Sequence, residues 1–410
     1  MAKKKVLYLI TALDQGGAQQ SVLTSVKRVA GGEFETYLAV GKGGRLDQKA
    51  QKKIKNLYFL SALKHDVCLK NALWDMWAVV QIGRLLRKIK PDIVHTNAPK
   101  AGILGRMAAR IFWRKAKVVH TFHGLGFSKE QGEKKFPLFV WAEKWCARCT
   151  DVFVFVSKKN AAEAKKLGIT KNVPVEIIRA GIDFKRTLPK HFDPVKKKNA
   201  LGIPATGRVV LALANFKPLK NPLHFVLAAY KVVSKHKNVY FIYTGDGPLK
   251  PAAINLVKQL NLEKKVLFPG WRNDADELLA ISDIYVSTSL REGVPVSLLE
   301  AQAHQVPAVC FDVDGIGEVI ANNRTGMLVP PQDIGTLARK IEILLSYPKI
   351  YNKLKQNIAK RDLNEFSTAV MIRRQEKLYR ALLAQKRGSS QPTLLRHKHG
   401  PRKPTAAHGE

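Results

Sequence analysis

The chain has 410 residues, 46% of them hydrophobic, which suits two or three domains with real cores at about 150 residues each. Lys and Arg number 70 against 32 Asp and Glu, a net charge of +38. That balance points to anionic partners, namely nucleic acid, anionic lipid headgroups or phosphorylated substrates, unless lysine scattered along the whole chain is a general habit of composition. Four cysteines, Cys68, Cys146, Cys149 and Cys310, are too few for a disulfide scaffold at this length and fit a reducing compartment.

The opening MAKKKVLYLITALDQGGAQ imitates a secretion signal, but its apolar run stops at Leu13 and no small-residue cleavage pattern follows. A first β-strand is the expectation. VLYLIT, TYLAV, DIVHT, KVVHTF and VFVFVS then read as buried strands, with SVLTSVKRVA, LWDMWAVVQIGRLLRKIK and AGILGRMAARIFWRK as helices between them. Such alternation predicts a parallel sheet covered on both faces. Trp145-Cys146-Ala147-Arg148-Cys149 resembles a redox pair, but it precedes an apolar strand and has no second pair for zinc, so structural cysteines are expected. Residues 184–207 are rich in Lys and Pro without periodicity and read as a linker. A second set of strands follows: VVLALA, VYFIYTG, VLFPG, DIYVST and AVCFD. The segment 386–410, rich in Gly, Pro, His and Arg, is expected to be disordered. No run of about 18 uninterrupted apolar residues occurs, so no spanning helix is expected.

Chemistry concentrates at strand–helix junctions. Gly16 and Gly17 precede a helix, where glycines let backbone amides approach a phosphate; paired glycines also make ordinary turns. In ANFKPLKNP, Lys217 and Lys220 sit at a turn where a lysine can neutralise a leaving diphosphate. Gly245, Asp246 and Gly247 mark another strand end. Glu292 and Glu300 frame EGVPVSLLEA, which follows a strand and opens a helix. Ligands of open α/β sheets bind at the carboxyl ends of the strands. Two carboxylates beside a helix N-terminus suit a ligand carrying both hydroxyls and phosphates, as a nucleotide sugar does.

The ordered set GGAQ, HTFHG, ANFKPLKN, TGDGP, E-x₇-E and TGMLVP resembles the retaining glycosyltransferases of family four, over about residues 5–385. The resemblance implies an α/β GT-B fold: two facing Rossmann-like domains with the nucleotide sugar between them and a C-terminal helix crossing back to the first domain. The expected division is an acceptor-side domain over 1–183, the linker, a nucleotide-sugar-binding domain over 208–364, a crossover helix over 365–385 and the basic tail. Carried onto matching residues, Glu300 binds the ribose hydroxyls and Glu292 the donor sugar, as a catalytic group together with His123. Lys220 holds the diphosphate, and Gly16 and Gly17 close from the other domain. Asn215, Gly245, Arg291 and Gly293 join the donor site, and Val294, Pro295 and Val296 present backbone to the phosphates and sugar. His120, on the other face of its strand, ranks below His123. Asn215 stands where the family often has an arginine, with Lys217 or Arg291 as compensating cations. Asp312-Val313-Asp314 mimics the metal-binding D-x-D of the other glycosyltransferase fold; GT-B enzymes use lysine and helix ends in its place, so no metal and no cofactor are expected.

HTNAPKAGILGRMAARIF and KVVHTFHGLGF are similar to a bacterial subgroup that extends lipid-linked oligosaccharides, which puts Asn97, Lys100 and Arg106 where an acceptor would lie. The plainer reading of Lys100 and Arg106 is a charged helix face. The resemblance implies a nucleotide-sugar donor, a lipid-linked glycan acceptor and a cytoplasmic protein peripheral on the inner face of an anionic membrane. Residues 104–117 and 134–148 mix cations with Phe and Trp at helical spacing. They read as interfacial helices or as ordinary amphipathic core helices. The alternatives are a GT-B enzyme of another reaction type, epimerase or phosphorylase, and a basic nucleic-acid-binding protein. No zinc-finger spacing or RNP-like motif supports specific nucleic-acid binding.

Overall fold

The computed structural model describes residues 2–63, 72–125, 135–184, 188–189 and 191–385. In the first half, strands β1 (Lys4–Ile10), β2 (Phe34–Gly41), β3 (Leu57–Leu60), β4 (Ile93–Asn97), β5 (Lys117–Phe122), β6 (Val152–Phe155) and β7 (Val175–Ile177) form one parallel sheet. Helices α1 (Gly17–Val29), α2 (Asp47–Lys53), α3 (Ala72–Ile89), α4 (Pro99–Phe112), α5 (Lys135–Ala147) and α6 (Lys158–Lys166) connect them. The central strands are buried, β4 throughout and β1 from Val6 onward, because helices cover both faces, which is why they read as continuous apolar runs. The strand order β3-β2-β1-β4-β5-β6-β7 reverses direction between β1 and β4. One face packs under α1, with Val22, Val26 and Val29 against Val6, Tyr8 and Ile10. The other packs under α3 and α4, with Ile82, Leu86 and Ala108 against Leu7, Leu9 and Val94.

The second half repeats the plan with α7 (Pro194–Ala200), β8 (Arg208–Leu213), α8 (Pro222–Lys235), β9 (Val239–Thr244), α9 (Lys250–Gln259), β10 (Val266–Leu267), α10 (Ala275–Ala280) and β11 (Ile284–Ser287). It continues through α11 (Val296–Ala303), β12 (Ala308–Phe311), α12 (Ile316–Val319), β13 (Gly326–Val329), α13 (Ile334–Ser346) and α14 (Pro348–Ala359). Its sheet, β10-β9-β8-β11-β12-β13, reverses between β8 and β11 around one apolar core. Helix α15 (Thr368–Ala384), capped by Ser367, then returns to the first domain. Met371, Leu378, Tyr379 and Leu382 pack there against the β1–β2 face. A buried chain of polar groups seals the contact. Tyr379 Oη lies 2.5 Å from His95 Nδ1 and donates to Tyr8 Oη at 2.9 Å, and Gln375 donates to Ser25 at 3.0 Å. The fold is GT-B as expected.

The short edge strands β3, β7 and β13 add to the strands expected from the sequence. One expectation needs correction. The segment expected to be a linker is structured in part: Asp193 caps α7 and Pro194 occupies its first turn. Lys197 pairs with Asp274 and, at 2.6 Å, with Glu277, while Phe192 and Ile203 join the second core. The second domain therefore begins inside that segment. Its lysine content disguised a short capped helix as solvated chain. The expected disordered tail lies outside the described residues.

Candidate active site in the interdomain cleft

The two points of strand-order reversal face each other. From the first domain come the glycine turn after β1, Asn97 and Ala98 after β4, and His123 and Gly124 after β5. From the second come the ANFKPLK turn after β8, Gly245 after β9 and residues 291–295 after β11. Between them lies a cleft of about 230 Å³ lined by Ala98, His123, Leu219, Lys220, Arg291, Glu292 and Gly293 among others. This is where open α/β sheets bind ligands.

Lys220, at the end of a 3-10 turn, reaches across the cleft wall to Glu292, Nζ to Oε1 at 2.5 Å. The Lys220 side chain is 25% exposed and Glu292 10%, so both are held in place yet open to a ligand. Thr288 Oγ1 fixes the turn by donating to the carbonyls of Lys220 and Asn221 at 3.1 and 2.9 Å. Glu292 is set by its own amide, which donates to Asp314 Oδ2 at 2.8 Å. Gly293 admits no side chain: a Cβ would stand 2.1 Å from the carbonyl oxygen of His123 across the domain boundary. Gly245 has φ +125°, and a Cβ there would stand 2.2 Å from the Ala214 carbonyl oxygen, so the turn beside Asn215 needs glycine. Helix α11 begins behind Pro295 with no side-chain cap, which leaves first-turn N–H groups available to an anion. Val296 in that first turn meets Gly17 of the other domain: a Cβ on Gly17 would lie 3.0 Å from Val296 Cγ2. Gly16 ends the turn as the N-cap of α1. Glu300 sits one turn further along α11, part-buried, and Val294 and Pro295 are buried beneath the loop.

His123 Nε2 donates to Asn97 Oδ1 at 2.9 Å, and Asn97 is in turn oriented by donating to the His95 carbonyl at 3.2 Å. Burial pushes the His123 ring down to about 4, so it is neutral at physiological pH with its free nitrogen an acceptor. His120 lines the cleft floor, but Nδ1 is engaged by Thr96 Oγ1 at 2.9 Å and burial drives its pKa well below the ordinary range. Ala98 adopts φ +67° and ψ 152°, a region that costs a non-glycine residue about 1–3 kcal/mol, and it forms part of the cleft wall.

Two acceptor-side expectations are corrected. Arg106 is not at the cleft: it is fully buried, with Nη2 2.6 Å from Glu143 Oε2 of α5. Burial pushes the Glu143 carboxyl up against the pull of Arg106. Lys100 is buried too, 2.8 Å from Asp75 of α3. Neither lies on a solvated charged face; helical spacing shows which residues share a face but not which charges find partners under a neighbouring helix. Among the acceptor-side residues, Asn97 alone reaches the site, through His123. Arg291 lines the cleft, but its guanidinium bridges the domains, 2.7 Å from Glu163 of α6 and 3.1 Å from Asp314. Asn215 has a buried side-chain oxygen with no hydrogen-bond partner. The Asp312 and Asp314 carboxylates are engaged separately, Asp312 with Lys159 at 3.2 Å.

The first domain, residues 15–186, matches the profile of Glycosyltransferase Family 4, and residues 195–361 match Glycosyl transferases group 1. The chain belongs to glycosyltransferase family 4. It is an enzyme, a hexosyltransferase. A Campylobacter jejuni relative, N,N'-diacetylbacillosaminyl-diphospho-undecaprenol alpha-1,3-N-acetylgalactosaminyltransferase, is 30% identical over 78% of this chain and 83% of its own length. An Escherichia coli relative, UDP-Gal:alpha-D-GlcNAc-diphosphoundecaprenol alpha-1,3-galactosyltransferase, is 28% identical over 88% of this chain and 93% of its own. Among solved structures, Anabaena HepE in complex with UDP and glucose superposes with a TM-score of 0.78 over 92% of this chain and 100% of its own, at 18% identity, which shows the shared fold.

The structure adds residues that the sequence did not single out. Glu318 of the second domain accepts from Ser157 Oγ and Lys159 N at the start of α6, both at 3.0 Å, and from Arg179. With Glu163 and Arg291 it clamps the two domains together. Glu318 stands in the glycine-rich step after β12; for Glu163 the sequence carries no signal.

Proposed function

We propose that this glycosyltransferase moves a hexose or N-acetylhexosamine from a UDP-sugar to a hydroxyl of a polyprenyl-diphosphate-linked glycan, with retention of anomeric configuration. The observation that carries this reading is the meeting of Lys220, Glu292 and His123 at one cleft beside the open N-terminus of α11. The donor's diphosphate lies against Lys220 and the α11 amides, which displaces the Lys220–Glu292 contact and frees Glu292 for the sugar hydroxyls. Glu300, a turn further along α11, takes the ribose. The C1–O bond breaks with its electron pair going to the phosphate oxygen, and Lys220 with the amides stabilises that charge. The acceptor hydroxyl forms the new bond from the same face and passes its proton to the departing phosphate, so no protein nucleophile is required. His123, neutral and fixed by Asn97, accepts a hydrogen bond from a sugar hydroxyl through its free nitrogen.

UDP rests on what the Escherichia coli relative is named for, and the lipid-linked acceptor on the names of both bacterial relatives. The membrane setting rests on a physical observation as well. Leu73, Met76, Leu138 and Trp141 are 78, 67, 60 and 62% exposed on α3 and α5, with Arg84 stacked over Trp77 at 5.0 Å. Apolar side chains edged by cations suit the interface of an anionic bilayer. No helix among the described residues is long and apolar enough to cross one. On this reading the enzyme works peripherally, at the cytoplasmic face.

The test is transfer from a panel of UDP-sugars to a polyprenyl-diphosphate N-acetylhexosamine, with the product's anomeric coupling read by NMR. One UDP-sugar transferred with its α configuration kept supports the reading. Inverted product refutes retention, and donor conversion without acceptor points to an epimerase.

A further inference from the structure

A second pocket, of about 310 Å³, opens at the opposite end of the first sheet from the cleft, where α4 and α5 end and β5 and β6 begin. Its wall carries Arg110, Arg114, Lys117 and Arg148. The single carboxylate among the described residues of this wall, Asp151, already accepts from the Val118 amide at 2.7 Å and pairs with Lys117 at 3.6 Å. Arg114 Nε donates to the Arg110 carbonyl at 2.9 Å, which ties the end of α4 to the turn that follows. Among the described residues Arg110 and Arg148 have no acidic partner, and both are exposed. Guanidinium groups grouped in a concave wall with little carboxylate between them match a phosphate. Exposed apolar side chains stand close by in the chain: Ile111, next to Arg110, is 57% exposed, and Trp145, one turn before Arg148, is 42% exposed.

We propose that this pocket binds the phosphate of an anionic lipid headgroup while Ile111 and Trp145 enter the interface beside it. The proposal rests on the membrane reading above and adds to it a defined headgroup site. The pocket is separate from the catalytic cleft. Helix α4 has 14 residues, so Lys100 at its cleft end and Arg110 near its far end are on the order of 15–20 Å apart. A diphosphate joined directly to the accepting sugar cannot lie here with that sugar in the cleft. A soluble phosphate has the same recognition chemistry; the exposed Ile111 and Trp145 favour the lipid, since they offer a soluble ion nothing.

The experiment is co-sedimentation with phosphatidylcholine vesicles, with and without phosphatidylglycerol and free of acceptor. It compares wild type, the triple variant Arg110→Gln, Arg114→Gln, Arg148→Gln, and a control triple on exposed lysines of α14 and its C-cap, Lys353→Gln, Lys355→Gln, Lys360→Gln. All three are first shown to melt alike. The pocket triple is expected to lower partition to phosphatidylglycerol vesicles by about tenfold or more, and the control triple by less than about threefold. Equal losses in the two triples, or no loss in the pocket triple, overturn the pocket while leaving the membrane reading intact. Wild type that sediments with neither vesicle overturns the membrane reading and the pocket with it. Release by inorganic phosphate, at an ionic strength where chloride has no effect, assigns the pocket to soluble phosphate and overturns the lipid.

Discussion

The two Rossmann-like domains share a strand order and differ in where they keep charge. The second domain buries a single apolar core, and its buried polar residues are uncharged, such as Thr244, Ser287 and Gln302. The first domain buries Arg106 with Glu143, Lys100 against the half-buried Asp75, and two histidines, His95 and His120, while it exposes Trp74, Trp77, Trp141 and Trp145. A domain that only handles a water-soluble nucleotide sugar needs nothing beyond the first arrangement. The second arrangement spends apolar surface outward and fixes its helix layer with ion pairs, which suits a domain working against a lipid surface.

The comparison is broken most forcefully at Arg106. Arg106→Ala leaves Glu143 buried without a partner and should cost about 3–5 kcal/mol in urea unfolding, whereas Arg106→Met with Glu143→Leu should recover most of it. A loss under about 1 kcal/mol would show that the pair is solvated and that the domains are alike. Lys220→Ala should instead leave unfolding nearly unchanged and lower transfer by about 10²–10³-fold, read as kcat under saturating donor. A retained rate would move the diphosphate elsewhere.

A smaller effect separates the domains by pH. His95 and His123 are pushed down to about 3 and about 4, chiefly by burial, so on acidification the unfolded chain takes protons first. Their contribution is complete above the ordinary value near 6.5 and is lost as pH falls towards the folded values, at about 1.4 kcal/mol per pH unit for each. Between pH 6.5 and 5, denaturation should show this slope, and hydrogen exchange should place the loss in the first domain. A flat profile contradicts the burial. The smallest effect is at Ala98: Ala98→Gly relieves its positive φ and should raise stability by about 1 kcal/mol in thermal unfolding, while a fall would mean the methyl group packs.

The sequence disclosed the second domain's site better than the first's. Glu292, Gly293 and Glu300 lie close together along the chain, and Lys220 sits in a turn of its own after β8, so spacing and local turn chemistry decide the geometry. His123 was legible for the same reason. Arg106, Lys100, Glu163 and Glu318 depend on which helix lies beside which, and no periodicity within one helix reports its neighbour's charges. Helix α5 shows the limit most clearly. Phe136, Phe139 and Val140 pack inward and Leu138 and Trp141 point out, so it is apolar on two sides, and sequence spacing alone could not divide core from surface.

The central claim is that the interdomain cleft holds a nucleoside diphosphate between Lys220 and α11. Calorimetric titration of UDP into the wild-type protein tests it most directly, alongside Lys220→Ala and Glu300→Ala. Saturable one-site binding, weakened by about tenfold or more in each variant, is the predicted result. Binding that neither substitution alters, or no binding to a folded wild-type protein, would contradict it.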